Sequence, residues 1–536
     1  MDDPGPKTLA LARALRLAEQ LGRVRTLLAT GCAAEAAVLF DEIGDPGSLP
    51  IPLHADAWFL RGRLEKSCHH FPAAIAAYQR AIAVDRGFAS AFLDLGNCLA
   101  EIERTDDAEE SLRQALAIAP GLKEAHASLG SVLLMAGREA EAEQCYRAAL
   151  AIDPMMVVAH QNLAAIAAAN GRPAEARSHR DAAYRQQSLF IERAAWPEFT
   201  LLMPTTAEGG NVPWKFLFPR NRCTVLKWFV EYASEGEAER LPPYDLVFNG
   251  IGDADAAQPM EASLARFLAT SEKPVLNRPA AVLNTRRDRL RKLLAGITDV
   301  VVPEVMRFDG TAATDEDIAF PILLRAAGSH GGAGVRLIHS LAELVRATEA
   351  SRQSWYLTRF WPYCSADGWY RKYRIIFIGT EPFPYHLALS RHWLVHYVTA
   401  DMLSDAAKNE EERAFLGNSE AAIGAPLMVA LREIGRRLAL DFAGIDFSIL
   451  PDGRLLVFEA NATMLVHPEP EPGPLAYRND AIRRILDAFQ VMVRFKLQGQ
   501  QQLSRSAATN SPLQSVPDAE YPASARAAEE VPGVGL

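Results

Sequence analysis

Three oxygen-bearing side chains in the C-terminal half of the sequence, Asp446, Glu459 and Asn461, have the chemistry to hold a metal ion. Two carboxylates and one amide offer only oxygen donors. Such ligands suit Mg²⁺, a hard cation that keeps several waters and shares phosphate oxygens with a substrate. The alternative is that the two acidic residues are simply solvated strand ends.

A β-hairpin would bring these three side chains together. Residues 443–450 and 455–458 are apolar runs separated by a Pro-Asp-Gly turn, which predicts two paired strands. Because side chains alternate along a strand, Glu459 and Asn461 share one face, and hairpin pairing can place Asp446 beside them. The sequence therefore predicts a magnesium site on the hairpin.

Length and composition predict a soluble protein of two or three domains. The chain has 536 residues, of which 49% are hydrophobic and 23% charged, and its net charge is −10. It has no basic stripe with interleaved aromatic residues, so we expect no nucleic-acid partner. Its six cysteines lack CxxC spacing, and we find neither a signal peptide nor an apolar run of membrane-spanning length. We expect reduced thiols, a cytoplasmic location and no membrane partner.

The first third of the chain repeats itself every 34 residues. Small and large residues recur at matched positions in three successive units: Gly62, Gly96 and Gly130; Ala74, Ala108 and Ala142; Tyr78, Leu112 and Tyr146; Ala81, Ala115 and Ala149. The pattern resembles the tetratricopeptide repeat, in which paired helices approach at small residues and large residues fill the space between pairs. Weaker units on both sides extend the predicted all-α solenoid to residues 10–190.

A solenoid of this type offers a concave surface along its length. The repeats therefore predict a peptide or protein partner. Self-association or a rigid spacer is the alternative. Members of the family that bind chaperone tails use a clamp of lysine and asparagine residues, and Asn97 stands almost alone at the matching positions, so we do not expect that ligand.

The second part of the chain alternates short apolar strands with helical segments. A strand within 242–252, a helix at 260–270 and a strand at 274–277 predict a βαβ unit. Asn249 and Asp253 would then lie at the carboxyl end of a strand, where open α/β sheets bind ligands. An ordinary turn without a function is the alternative.

A glycine-rich segment at 321–335 follows a strand pattern and precedes a predicted helix at 340–350. Backbone amides in such a loop can cradle phosphate oxygens, because glycine permits close approach and positive φ. The segment fits neither the GxGxxG fingerprint nor the P-loop. A flexible hairpin is the alternative.

Taken in order, these segments resemble the ATP-grasp superfamily, the fold of D-alanine ligases, glutathione synthetases and ribosomal-protein glutamate ligases. The resemblance implies a multidomain chain, in which the all-α array at 10–190 precedes an α/β subdomain at 199–283 and an α+β ATP-grasp domain at 284–497. The segment 498–536 is rich in Gln, Ser, Ala and Pro, and we expect it to be disordered.

The resemblance also implies roles for the residues that match the family's motifs. The nucleotide would be held by two cationic residues, the glycine-rich loop, an interdomain strand and an aspartate after it: Arg289, Arg325, Gly328, Ser329, His330, Gly331, Gly332, Thr358, Arg359, Phe360 and Asp367. Arg374 and Arg391 would act at the transferred phosphate, and Lys372 alternates onto the face of Arg374. Arginine replaces the family's usual lysine at the first two positions, and Arg359 replaces its usual acid. A guanidinium also binds phosphate, through two parallel hydrogen bonds.

The implied activity is that of an ADP-forming carboxylate–amine ligase. A substrate carboxylate would attack the γ-phosphate of ATP, and an amine would displace phosphate from the acyl phosphate. The resemblance implies two Mg²⁺ ions, one on Asp446, both on Glu459 and the second on Asn461, while the repeats recruit a peptide or protein substrate. Two other functions stay open: a repeat scaffold that binds nucleotide without ligation, and a small-molecule kinase.

Overall fold

The computed structural model describes most of the chain, namely residues 6–219, 221–309, 318–328, 334–349, 354–396 and 400–509. The described residues divide into two compact units. The first comprises residues up to 200 and 221–237, and the second comprises 201–219 and 238 onward. No helix in the described ranges is long and apolar enough to cross a membrane.

The array in the first unit is built from helices in sequence-adjacent pairs. Its helices are α1 Pro6–Ala29, α2 Ala33–Ile43, α3 His54–Ser67, α4 Phe71–Val84, α5 Ala89–Glu101, α6 Thr105–Ile118, α7 Lys123–Met135, α8 Glu139–Ile152, α9 Val157–Ala169 and α10 Pro173–Tyr184. Each helix packs against the next one along the chain. The predicted all-α solenoid is confirmed.

The repeated small residues explain why the helices can approach closely. A Cβ atom at Gly62 would come within 2.5 Å of the Tyr78 ring, and one at Gly130 within 2.9 Å of the Tyr146 ring. Both tyrosine side chains are fully buried. The glycine of the first helix and the large residue of the second therefore form one packing unit per repeat.

The elements that follow the array are mostly strands. Their bounds are β1 Leu189–Glu192, β2 Phe199–Thr205, β3 Cys223–Phe229, β4 Leu246–Phe248, β5 Val275–Leu276, β6 Val300–Val301, β7 Val305–Phe308, β8 Ile322–Ala326, β9 Arg336–Ile338, β10 Trp355–Arg359, β11 Tyr370–Ile378, β12 Glu381–Ser390, β13 Phe442–Ile449 and β14 Leu455–Asn461. The helices among them are α11 Ala254–Ala257, α12 Glu261–Thr270, α13 Pro279–Asn284, α14 Arg287–Leu293, α15 Leu341–Thr348, α16 Ala406–Gly417, α17 Ser419–Ile423, α18 Ala425–Leu438 and α19 Asn479–Thr509.

Residues 221–237 group with the array, across the boundary that the sequence predicted near 199. Strand β3 pairs antiparallel with β1, which directly follows the last helix of the array. The Tyr184 ring of α10 lies 4.0 Å from the Phe229 ring, and the Tyr232 hydroxyl donates to Asp181 at 3.1 Å. This pairing connects the segment to the end of the array, and the predicted subdomain at 199–283 stays a prediction.

The second unit contains the predicted βαβ arrangement. Strands β2, β4 and β5 are parallel neighbours, and α12 lies between β4 and β5 in sequence. Asn249, at the carboxyl end of β4, is buried and donates to the Asn277 carbonyl at 3.0 Å. Asp253 caps α11 by accepting from the Ala256 amide. Both side chains have structural partners at this sheet edge.

Two more sheets complete the second unit. One has the strand order β7-β10-β8-β9, and its core includes Leu324, Leu344 of α15 and Leu357. The other has the order β12-β11-β13-β14-β6. Helix α19 packs on β11 and β12 and buries an apolar stripe at every fourth position, at Ile485, Phe489 and Val493.

The sequence predicted a disordered tail from residue 498, but the first part of that segment is helical. Helix α19 continues to Thr509, so the segment 498–509 is helical. Its Gln, Leu, Arg and Ala residues are good helix formers and extend a helix that packing has already nucleated. The remainder of the predicted tail, 510–536, lies outside the described residues.

Candidate functional site

The predicted hairpin is confirmed, and it sets the geometry of the site. Strands β13 and β14 pair antiparallel with Asp446 opposite Glu459 and Gly444 opposite Asn461. Strand β11 flanks the hairpin with Arg374 directly opposite Asp446. Cross-strand neighbours on one face lie about 5 Å apart at Cβ, so these polar side chains share one surface of the sheet.

Asp446 is almost completely buried and is held between two cations. Its carboxylate accepts from Arg374 Nε at 2.6 Å and Nη2 at 2.9 Å, and Lys372 Nζ lies 3.2 Å away. Burial alone would raise the pKa of this carboxyl, but the charges of Arg374 and Lys372 outweigh it and hold the pKa well below its usual range. Asp446 is therefore ionised at neutral pH.

Glu459 has a second pair of cations. Arg287 Nη2 donates to its carboxylate at 2.5 Å, and Arg325 Nη1 lies 3.5 Å from the same oxygen. Burial raises the pKa of Glu459 and so does Asp446, yet the positive charges of Arg287 and Arg325 lower it overall. For Arg325 itself, burial and the neighbouring Arg287 lower the pKa.

Asn461 keeps its amide oxygen within the loop that follows β14. The oxygen accepts from the Thr463 amide and hydroxyl, both at 3.0 Å. Within the described ranges, no cluster of three His, Cys, Asp or Glu residues could hold a metal ion. A metal here would thus take two carboxylates and an amide, a set of oxygen donors that fits Mg²⁺.

The charges of this cluster do not cancel. The site cluster, which we define as Arg287, Arg325, Lys372, Arg374, Asp446 and Glu459, contains four cations and two carboxylates. Every one of these side chains is at least three-quarters buried. An excess of positive charge that is screened from water favours a polyvalent anion such as a triphosphate.

Comparisons with known families agree with this chemistry. Residues 69–123 and 124–154 match the family "Tetratricopeptide repeat", and residues 287–358 match "Carbamoyl-phosphate synthase L chain, ATP binding domain". The chain has an N-terminal tetratricopeptide array and an ATP-grasp-type segment. The matched segment begins at Arg287 and includes Arg325.

Two of the solved structures that resemble this chain each cover about a third of it. A crystal structure of MamA is 19% identical over 31% of this chain and 94% of its own, with a TM-score of 0.27. A structure of pilF from Pseudomonas aeruginosa is 20% identical over 32% of this chain and 77% of its own, with a TM-score of 0.29. No curated protein matches the sequence.

The sequence assigned a phosphate-binding role to Arg289, which stays a prediction, and the structure places the nearby Arg287 against Glu459. Arg289 is exposed on α14, whereas Arg287 contacts Glu459. The apolar Leu290 could have shown this phase, because residues three apart share a helix face and Leu290 is buried. The contact of Arg287 with Glu459 was not predicted, because several arginines follow one another in this segment.

The glycine-rich loop is only partly described. Arg325 lies on β8 opposite Tyr356, and Gly328 follows in an exposed turn with φ of +73°. Ser329, His330, Gly331 and Gly332 lie outside the described residues. Their phosphate-binding role stays a prediction.

The interdomain strand is already engaged in its sheet. Strand β10 pairs with both β7 and β8, and Thr358 lies within that pairing. The Arg359 amide donates to the Glu304 carbonyl at 2.9 Å, and the Phe360 amide donates to the Pro321 carbonyl at 3.0 Å. Base binding at Thr358, Arg359 and Phe360 stays a prediction, and it must use groups other than these two amides.

Asp367 and Arg391 lie together in a second polar group. The Asp367 carboxylate accepts from Arg371 at 2.7 Å, and this hydrogen bond lowers the pKa of Asp367 to about 2. Arg391 donates to the Asp367 carbonyl and stacks on Trp369, 3.8 Å from its ring centroid. Among the described hydrogen bonds, none joins Asp367 or Arg391 to Asp446 or Glu459, and the roles assigned to these two residues stay predictions.

His386 is a further neighbour that the sequence did not indicate. It lies opposite Arg374 on β12 and is 6% exposed. Burial, and then the charge of Arg374, lower its pKa well below the usual value. His386 is therefore neutral and adds no charge beside Arg374.

Proposed function

We propose that the chain is an ATP-dependent, ADP-forming carboxylate–amine ligase that acts through an acyl phosphate. In this proposal the tetratricopeptide array recruits a peptide or protein substrate. The observation that carries it is the site cluster, with its buried positive excess around Asp446 and Glu459 in a unit that also holds an ATP-binding match. The array matches a family of repeats that bind proteins.

The four cations of the site cluster would bind the triphosphate. Arg287 and Arg325 converge on one side of Glu459, and Lys372 and Arg374 converge on Asp446. Each guanidinium can exchange a carboxylate for a phosphate oxygen with little change in geometry, because both anions accept paired N–H bonds. The carboxylates then become available to a cation.

Asp446, Glu459 and Asn461 would hold Mg²⁺ once the nucleotide is present. When bound, Mg²⁺ neutralises phosphate charge and orients the transferred group. The lowered pKa values of Asp446 and Glu459 keep both ligands ionised at neutral pH. Asn461 would turn its amide oxygen from Thr463 towards the ion.

The reaction requires positioning and charge neutralisation more than a protein nucleophile. The substrate carboxylate oxygen forms a bond to the γ-phosphorus while ADP leaves, and the acceptor nitrogen then bonds to the acyl carbon while phosphate leaves. Buried cations stabilise the charge on the transferred group without reorganising at the moment of reaction. The site cluster supplies this environment with its own residues.

The paired hydrogen bonds of Arg374 to Asp446 support a second candidate. If this ion pair stays closed when nucleotide binds, the unit would bind ATP without turnover and the chain would act as a scaffold. A kinase is the third possibility, because phosphate transfer to a hydroxyl uses the same cations.

The test is ADP release by the full chain with ATP, Mg²⁺ and mixtures of peptides and amino acids, followed by mass spectrometry. A product with the mass of two substrates less water supports the ligase, and a phosphate adduct supports the kinase. We expect Glu459→Gln to reduce ADP release by about 100-fold or more, because it removes charge at the transferred phosphate.

Asp452→Asn is the matched control for this experiment. Asp452 lies in the turn of the same hairpin, is exposed and pairs only locally with Arg454. It should leave ADP release unchanged. Equal turnover by Glu459→Gln and the unsubstituted chain would overturn the assignment, and nucleotide binding without any ADP release would select the scaffold.

A further inference from the structure

Helices α1 and α2 enclose an open groove at the start of the array. The cavity has a volume of about 800 Å³. Its lining includes Gly22, Leu27 and Val38, and the exposed Glu19, Glu35 and Glu42 form its rim. A Cβ atom at Gly22 would meet nothing within 4 Å. Glycine costs a helix interior about 1 kcal/mol relative to alanine, and here it leaves the groove open.

Helix α1 is apolar on a face that the rest of the array does not cover. Its inner face packs Leu21 and Val24 into the core shared with α2 and α3. Leu11 and Leu15, one turn apart, are 61% and 63% exposed, and Val38 of α2 is 64% exposed. A surface helix with a second apolar stripe is typical of an interaction site.

The charges around the groove indicate the chemistry of the partner that it would bind. Glu19, Glu35 and Glu42 have no ion pair among the described residues, and Arg23 is the groove's cation. By contrast, Glu109 and Glu143 on later helices are each paired with two arginines. The groove is therefore apolar with a negatively charged rim, whereas Glu109 and Glu143 are each neutralised by two arginines.

We propose that this groove binds an amphipathic helix of a partner protein, with aliphatic side chains between α1 and α2 and lysine or arginine residues facing Glu19, Glu35 and Glu42. A second copy of the same groove would bring like charges together, which disfavours symmetric self-association. The proposal concerns binding by the first unit and does not rest on the ligase reaction.

The test uses the full chain and two labelled synthetic peptides of about four helical turns. Both carry leucine at helical spacing i, i+3, i+4 and i+7; one has lysine and the other glutamate at the remaining positions. Fluorescence anisotropy should show binding of the lysine peptide with a Kd on the order of micromolar, and much weaker binding of the glutamate peptide.

Two variants separate the groove from general charge. Gly22→Leu fills the cavity, and Glu35→Lys/Glu42→Lys reverses its rim; each should weaken the lysine peptide about ten-fold or more. Asp106→Lys/Glu110→Lys changes net charge equally on exposed positions of α6 and should leave binding unchanged. Circular dichroism checks that every variant keeps its helices.

Three outcomes would overturn the proposal. The groove variants could bind the lysine peptide as tightly as the unsubstituted chain does. The glutamate peptide could bind equally well, which would leave the rim charges without a role. Sedimentation could show a dimer that Gly22→Leu abolishes, which would make a second copy the occupant.

Discussion

Arg138, the residue that directly precedes α8 in the array, bridges Glu141 of α8 and Glu109 in the preceding repeat, each at 2.7 Å. The arrangement recurs one repeat later at Arg172. These side chains are partly exposed to water, so the pairs are screened and contribute little individually. Their spacing matches the repeat, and each one connects a helix pair to the next.

Asp446 and Glu459 in the second unit use the same residue types with water largely excluded. The side chain of Asp446 is only 3% exposed, beside Arg374 at 20%. Buried ion pairs are often no more stabilising than apolar residues of similar size, while removal of one partner is costly. A buried cluster with surplus charge is therefore typical of a binding site, whereas the repeated ion pairs at Arg138 and Arg172 are typical of contacts between repeats.

The largest effect on stability should come from breaking a buried pair. Arg374→Met leaves Asp446 with Lys372 as its remaining cation, and we expect the unfolding free energy to fall by roughly 2–3 kcal/mol. Urea or thermal unfolding of the full chain measures it. Arg138→Met in the array is the matched variant, and its effect should be clearly smaller. An equal decrease in unfolding free energy for both variants would mean that the ion pairs of the two units do not differ in their contribution to stability.

Substitution of two arginines on helix α14 should have different effects on the affinity for ATP. Arg287→Ala removes a cation of the site cluster, and we expect ATP to bind about ten- to 100-fold more weakly. Arg289→Ala removes an exposed charge on α14 and should change affinity little. Calorimetry with a non-hydrolysable ATP analogue makes the comparison. The opposite ranking would restore the position that the sequence assigned to Arg289.

The difference between these arginines shows what the sequence could predict. The hairpin and the repeats depend on local patterns, a Pro-Asp-Gly turn and a fixed spacing, and both were predicted correctly. The choice between Arg287 and Arg289 depends on helix phase, which is set by how α14 packs through Leu290. A run of similar residues gives no such phase on its own.

Long-range pairing was also beyond the sequence. Strand β3 pairs with β1, and residues 221–237 therefore belong to the first unit. No local sequence pattern predicts this pairing. The register that puts Arg374 opposite Asp446 joins residues far apart in the chain. The candidate ligands were therefore predictable from one hairpin, while most of their cationic partners come from other strands and helices.

The buried carboxylates should also shape the response to acid. Asp446 and Glu459 have lowered pKa values in the folded chain, so their contribution to stability is complete above the unfolded pKa and is lost as the pH falls through the folded pKa. We expect the unfolding free energy to decrease below about pH 4, where unfolded carboxyls titrate. Asp446→Asn should show a shallower decrease in urea unfolding at a series of pH values. An unchanged slope would mean that other carboxyls dominate.

The smallest effect concerns the turns of the array, which repeat as regularly as its ion pairs. Glu103 and Gly137 occupy matched turns between paired helices, with φ of +60° and +74°. A side chain is strained in this left-handed region, so we expect Glu103→Gly to stabilise the chain by about 0.5–1 kcal/mol.

Gly137→Ala is the reverse substitution and should destabilise the chain by about 1 kcal/mol. Gly121→Ala is its control, because Gly121 is in the same array, has open space around its Cβ position and lacks positive φ. Thermal unfolding compares the three variants. If Gly137→Ala and Gly121→Ala gave the same change, backbone strain would not distinguish the turns, and the turn geometry of the repeats would be set by packing of the helix pairs alone.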